Sequence, residues 1–420
     1  MGGLARRVSY LKAFKHRSNL EVPTLFVDAG NIFTDDQYSG SDLPADVMTK
    51  NKWVVKGYGD HRHEAANISY PDLPYLTELL KKDGYEDRLA QYPFIKRLIS
   101  ANIRPADDQH VAPAPYVIRE ITLRRSAPGK TVRVGFLGLT EAKPVMANVQ
   151  KNTIGGFIID DPFETAKRVL PELKSKADFI VVLAYMPQEM SQRLASENPD
   201  IDTLIGARQV STMDEPRHFN RATIVYAYNQ TKYVGELRVY VRSDGSIENQ
   251  LNRYVAMDEK IPDDASALET VNTAHTEFTN QQSTKATAAS SKSGLFDLSN
   301  TRFVGGETCA GCHAEAHTIW EKSGHAHAMA TLEKKNEQFD NECVGCHVVG
   351  FQKGGFQSLY TTPQLANVQC EACHGPGRDH ALAPAKGYGA IQTPIGCMQC
   401  HTKMNSPEFD FESYWQKIKH

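Results

Sequence analysis

Cys309-Ala310-Gly311-Cys312-His313, Cys343-Val344-Gly345-Cys346-His347, Cys370-Glu371-Ala372-Cys373-His374 and Cys397-Met398-Gln399-Cys400-His401 are four copies of one pattern, and they take up all 8 cysteines of the chain. Two thiols separated by two residues reach the two vinyl groups of one porphyrin and form thioethers. The next residue turns under the ring and sets an imidazole on the iron. The spacing therefore predicts four covalent c-type haems, with His313, His347, His374 and His401 as proximal ligands. Zinc ribbons also use paired Cys-x-x-Cys units, but zinc has no need of a histidine directly after each second cysteine. With His at 15 of 420 positions, four such coincidences have a chance of roughly one in a million. Disulfide pairing is weaker still as an account of this spacing.

The occupant of each iron's sixth position separates an electron carrier from a catalyst. Five further histidines lie in the same segment: His317, His325, His327, His380 and His420. His325 ranks first as a distal ligand, in Ser323-Gly324-His325-Ala326-His327, followed by His380, His420 and then His327. His317 reads as a surface imidazole or a hydrogen-bond partner to a haem propionate. Of the methionines here, Met329, Met398 and Met404, Met398 sits between its own haem cysteines and cannot swing over the opposite face.

The rest of the chain is ordinary in composition, with 40% hydrophobic and 23% charged residues and a net charge of -3, which gives no support for nucleic-acid binding. No run has the length of a membrane-spanning helix. Haem is attached to this motif outside the cytoplasm, so export and a leader are expected. MGGLARRVSYLKAFKHRSNL (1–20) is basic and helix-like but lacks the apolar stretch of a signal peptide. A periplasmic or extracellular location follows from haem chemistry alone.

Residues 22–256 read as α/β. Val22–Asp28, Val132–Leu139 and Phe179–Ala184 are buried-strand runs, and Ile201–Gly206 follows. Asp161-Pro162-Phe163-Glu164 opens a helix with an acidic cap, proline at the first turn and a glutamate three residues on. Thr223–Tyr228, Tyr233–Arg242 and Ser246–Ala256 read as β-ribbon, the last two joined by Ser243-Asp244-Gly245. Residues 262–280 predict a polar helix, and Gln281–Gly294, QQSTKATAASSKSG, a flexible linker. From about Phe303 the haems themselves must supply most of the buried surface, so short helices and loops wrapped on cofactor are expected, largely unstructured without it. His61, His63 and Glu64 in HRHE lack the i, i+4 pairing of a helical metal motif and read as a solvated loop. His16, His110, His218 and His275 carry no signal.

Two resemblances sharpen this reading. Val304-Gly305-Gly306-Glu307-Thr308-Cys309, Trp320-Glu321-Lys322-Ser323-Gly324-His325, Cys370 to Gly377 and the ending from Phe409-Asp410-Phe411 to His420 resemble the tetrahaem cytochrome c554-type domain over residues 302–420. The resemblance implies closely packed, mostly bis-His haems that pass electrons; related multihaem proteins include enzymes with an open iron and extracellular cytochrome filaments. Gly2-Gly3-Leu4-Ala5-Arg6-Arg7, Leu25 to Gly30, Val134 to Leu139, Ile180 to Leu183 and Ile201 to Gly206 resemble the 5′-nucleotidase type of calcineurin-like metallophosphoesterase over residues 1–256. That implies a β-sandwich flanked by helices, with residues 257–301 as helix and linker.

The metal chemistry of the second family does not carry over. Its bridging Asp corresponds to Asn31, its Asn-His pair falls near Tyr70-Pro71, its metal-binding His after the strand at 180–184 becomes Tyr185, and its final Gly-His-x-His becomes Ala207-Arg208-Gln209-Val210. Its first Asp-x-His strand would precede Gly2. Two divalent metals need several carboxylates and imidazoles held together, so a phosphoesterase scaffold without activity is expected. The sequence thus reads as an exported tetrahaem electron-transfer protein with redox partners and no catalytic residues. It has a tendency to self-associate through the haem domain, up to a filament in which His420 could reach across a subunit boundary. The alternative is a multihaem reductase or oxidase of a small nitrogen or sulfur compound with one open iron.

Overall fold

The computed structural model describes residues 3–18, 22–33, 43–59, 63–123, 128–142, 153–208, 215–227, 232–244, 246–292, 301–335, 337–391, 394–402, 405–406 and 408–420. His61, Gln209, Val210, Gly245, Met404 and the end of the linker lie outside these residues. The chain forms two compact units, 1–274 and 275–420.

The first unit is built on a six-stranded sheet in the spatial order Arg217–Phe219, Ala222–Tyr226, Thr203–Gly206, Phe179–Tyr185, Thr131–Thr140, Tyr116–Thr122. Its four central strands run parallel and the two edge strands antiparallel. Phe179–Tyr185 is buried on both faces along its whole length, which explains its unbroken apolar sequence. One face packs Leu137, Leu139, Ile180 and Val182 against Phe163, Leu170, Leu173 and Leu194 of helices Pro162–Lys176 and Gln188–Glu197. Each such fully buried side chain contributes about 1.5–3 kcal/mol. The first of these helices starts where the sequence expects, with Asp161 accepting the N–H groups of Phe163 and Glu164 at 2.8 and 2.9 Å.

The opposite face meets a second, three-stranded parallel sheet, Val27–Asp28, Ala65–Asn67 and Leu98–Ile99. Ala29, Ala65 and Ile99 pack there against Val134, Phe136, Val181 and Leu183. The contact is close enough to need glycine: a Cβ on Gly138 would stand 2.7 Å from the Ile99 carbonyl oxygen. The N-terminal strand is shorter than Val22–Asp28, because only Val27 and Asp28 pair, with Ala65 and Ala66. The hairpin Tyr233–Val241/Ile247–Ala256 forms with a bulge at Tyr240/Val241.

The polar helix is longer than expected. It spans Ala265–Lys292 and takes in most of the stretch read as linker, because Ala, Gln and Lys favour helix and no Gly or Pro interrupts them before Gly294. The boundary between the units falls inside this helix.

The second unit consists of short helices, among them Gly306–Ala310, Ala314–Glu321, Ala328–Glu333, Cys370–His374, Arg378–Leu382 and Phe411–Trp415, joined by turns. Its apolar cluster is small: Phe303, Met329, Leu332, Val344, Val348, Val349, Phe356, Leu365 and Ala366.

Candidate functional site

Polar anchors hold the four motifs in the second unit. Glu371, inside the third motif and 4% exposed, accepts backbone N–H groups from Val304 at 3.0 Å, Gly305 at 2.8 Å and Gly377 at 2.6 Å. The run-in to the first motif is thereby fixed to the third. Gln369 adds a bond from the Gly306 N–H at 2.6 Å, and the Trp320 indole donates to the Val368 carbonyl at 2.7 Å.

The thiols reveal which motifs are neighbours. Cys309 and Cys370 lie within hydrogen-bond reach of each other. Burial first, then the charges of Cys397 and Cys370, raises Cys373. Burial, then Cys346, raises Cys400 to about 12. The motifs therefore lie in the order first, third, fourth, second.

Three of the four motif histidines face a second histidine. Ring centroids are 6.2 Å apart for His313 and His380, 6.0 Å for His325 and His401, and 5.6 Å for His374 and His420. An iron between two nitrogens, each about 2 Å from the metal, sets the centroids about 6 Å apart. The residues present fit bis-imidazole haem at these three sites. Burial, followed by the His401 charge, lowers the His325 pKa, and burial lowers that of His401; neutral imidazole is the form that binds metal.

His347 is held differently. Its Nδ1 lies 2.7 Å from the carbonyl oxygen of Ala328, the first residue of helix Ala328–Glu333. His327, the residue before Ala328, is exposed at the end of the turn Gly324–His327. Among the described residues no second imidazole pairs with His347. His317 packs on Trp320 at 5.2 Å between Glu321, 3.7 Å away, and Glu307, 4.0 Å away.

In the first unit, the positions where metal ligands would stand carry other chemistry. Asn31 takes a left-handed backbone, φ 62°, and the loop it opens is gripped by Asp72, whose carboxylate accepts N–H groups from Asn31, Ile32, Phe33 and Ser69 at 3.1, 2.7, 2.9 and 2.9 Å. Burial pushes the Asp72 carboxyl up against the pull of these donors. Just before Tyr70-Pro71, Asn67 ends strand Ala65–Asn67 and donates to the carbonyls of Ala29 and Leu139; Ile68 follows it. Tyr185 packs edge-on against Tyr70 at 5.5 Å, and Arg208 pairs with the buried Glu141. Among the described residues no three His, Cys, Asp or Glu side chains converge as a metal site would require.

Sequence reading missed Asp72, Glu371, Tyr388 and Phe409. Asp72 left a trace, since Ser69-x-x-Asp72 has the form of a capping box. Glu371 acts across 66 residues and left none, while Tyr388 and Phe409 stack on histidines 8 residues away at a spacing that follows no helix or strand period.

Comparison with known proteins divides along the same line. The family model for cytochrome c554 and c-prime matches residues 308–375. Cytochrome c-554 of Nitrosomonas europaea is 39% identical over 93 residues, covering 18% of this chain and 40% of the relative. An apyrase of Aedes albopictus is 25% identical over 289 residues, covering 62% of this chain and 46% of the relative. Among solved structures, a sulfate thiohydrolase of Thermus thermophilus superposes with TM-score 0.51 at 15% identity, covering 66% of this chain and 47% of that one. A calcineurin-like phosphoesterase of Bacillus subtilis gives TM-score 0.46 at 18% identity, covering 66% and 89%.

The chain carries a C-terminal region of the cytochrome c554 family, and its N-terminal unit shares the fold of the Thermus thermophilus sulfate thiohydrolase. Covalent haem c is what the matched cytochrome family implies for this region. The chain spans less than half the length of both named sequence relatives.

Proposed function

We propose that this protein is an exported tetrahaem electron carrier whose phosphoesterase-fold unit is a scaffold without hydrolytic activity. The observation that carries the reading is the pairing of three proximal imidazoles with His380, His401's partner His325, and His420 at 5.6–6.2 Å. When bound, the haems supply a one-electron ferric/ferrous couple. The eight cysteines tether them, and the neighbouring of the motifs sets a path from the first through the third and fourth to the second. Paired histidines keep coordination unchanged on reduction, so little reorganisation opposes transfer. The domain limits 1–256, 257–301 and 302–420 belong to this proposal. So does export: haem is attached to this motif outside the cytoplasm, and among the described residues no helix is long and apolar enough to cross a membrane.

Self-association through the haem domain also belongs here, because a short chain wrapped on four haems covers both ends of the row poorly. Donation of His420 to another subunit is disfavoured by its place beside His374 of its own chain.

One observation favours a second reading, reduction or oxidation of a small nitrogen or sulfur compound at an open iron: His347 has no second imidazole among the described residues. Exposure of the ferrous protein to carbon monoxide tests the two together. Binding at one iron in four, with rapid oxidation by an outer-sphere acceptor and no turnover of nitrite, hydroxylamine or sulfite, supports the carrier. Steady turnover of any of these compounds would overturn it.

A further inference from the structure

Imidazoles at the candidate haem sites are held by two different devices. At the second and third sites a ring nitrogen meets a backbone carbonyl: His347 Nδ1 at 2.7 Å from Ala328, His374 Nδ1 at 2.8 Å from Gly389, and His420 Nδ1 at 3.0 Å from Ile418. At the first and fourth sites aromatic rings do the holding. Tyr388 stacks on His380 with centroids 4.6 Å apart and planes 11° apart, and its hydroxyl is tied to the Pro376 carbonyl. Phe409 stacks on His401 at 4.5 Å and 17°, and Tyr414 closes the corner edge-on to both rings, 5.8 Å from His401 and 5.1 Å from Phe409. His380 Nδ1 accepts the Ala385 N–H at 3.3 Å, and among the described residues no backbone carbonyl bonds to this ring.

We propose that Tyr388 and Phe409 are positioning residues that fix the rotation of the axial imidazoles at the first and fourth haems and so set the electronic character of those irons. A metal-bound imidazole is free to turn about its metal–nitrogen bond unless a neighbour stops it. A hydrogen bond does so through the ring edge, and a stacked aromatic does so through the ring face, at separations typical of favourable aromatic pairs. The angle between two axial imidazole planes governs the splitting of the iron d orbitals that accept their π density. Near-parallel planes split them widely and near-crossed planes split them little. The planes lie 29° apart for His313 and His380, against 52° for His325 and His401 and 51° for His374 and His420. Tyr388 therefore maintains the one near-parallel pair.

The proposal rests on these histidines being axial pairs. Low-temperature electron paramagnetic resonance of the full-length ferric holoprotein separates the two claims. A parent spectrum without bis-imidazole low-spin signals contradicts the pairing itself. Given those signals, the spectrum should contain one well-spread rhombic set and two sets dominated by a single large g-value. Tyr388→Leu should move only the rhombic set, with the optical spectrum still six-coordinate. Tyr388→Phe, which keeps the ring, should leave it in place. Phe409→Leu tests the fourth site independently and should move one of the anisotropic sets. A Tyr388→Leu and a Phe409→Leu spectrum both superimposable on the parent would overturn the proposal, as would equal shifts in Tyr388→Leu and Tyr388→Phe.

Discussion

Glu371, the second residue of the third haem motif, accepts the backbone N–H of Gly305 at 2.8 Å, so a side chain inside one attachment loop holds the entry to another 66 residues away in sequence. A buried carboxylate with several backbone donors is among the stronger polar contacts of a fold, and its removal leaves those donors unpaired. Glu371→Ala should destabilise the haem domain by about 3 kcal/mol. Thermal unfolding of the holoprotein, followed at the haem absorption, measures this; an unchanged midpoint would show the anchor to be redundant.

Ligand removal at the paired sites should open new irons. His325→Ala and His380→Ala should each add one high-spin, carbon monoxide-binding haem to the parent's one. If both variants keep the parent's carbon monoxide stoichiometry, the distal assignment is wrong.

Truncation of His420 distinguishes an internal ligand from a shared one. Because His420 lies 5.6 Å from His374 of its own chain, the truncated protein should gain a high-spin haem as a dilute monomer and keep the parent's tendency to associate. Loss of association with all spectra unchanged would mean that the residue serves a neighbouring copy.

The third haem should have the lowest reduction potential. Both its imidazoles, His374 and His420, approach backbone carbonyls through Nδ1, and such bonds make the ligand more basic and favour the ferric state. A potentiometric titration read by paramagnetic resonance should show the set lost on His420 truncation to be the last reduced; finding it reduced first would refute the argument.

In the first unit, Asn31→Asp should produce neither metal binding nor phosphate-ester hydrolysis, since Ile68, Tyr185 and Arg208 remain. Asp72→Ala should cost about 3 kcal/mol and free the amides of Ile32 and Phe33 to hydrogen exchange. Manganese-dependent hydrolysis by the natural protein would contradict the scaffold reading.

Much of this was legible in the sequence because it is local. Cys-x-x-Cys-His is a five-residue chemical statement, the strand Phe179–Tyr185 declares its burial in its own apolar run, and Asp161 announces a helix by its cap. The distal ligands were half legible: the supply of histidines limits the choice, but which faces which depends on contacts such as His313 with His380 that no spacing encodes. His327 shares the short turn Gly324–His327 with His325, and spacing alone does not separate the two. The helix through Lys292 was missed because a polar stretch without apolar period has the composition of a linker as well as that of a solvated helix.

The central claim, four haems acting as one electron store and path, is tested most directly by coulometric reduction of the native full-length protein with intact mass measured on the same sample. The account predicts a polypeptide carrying four haems that takes up four electrons per chain. Fewer than four of either, or zinc in place of haem at any motif, would contradict it.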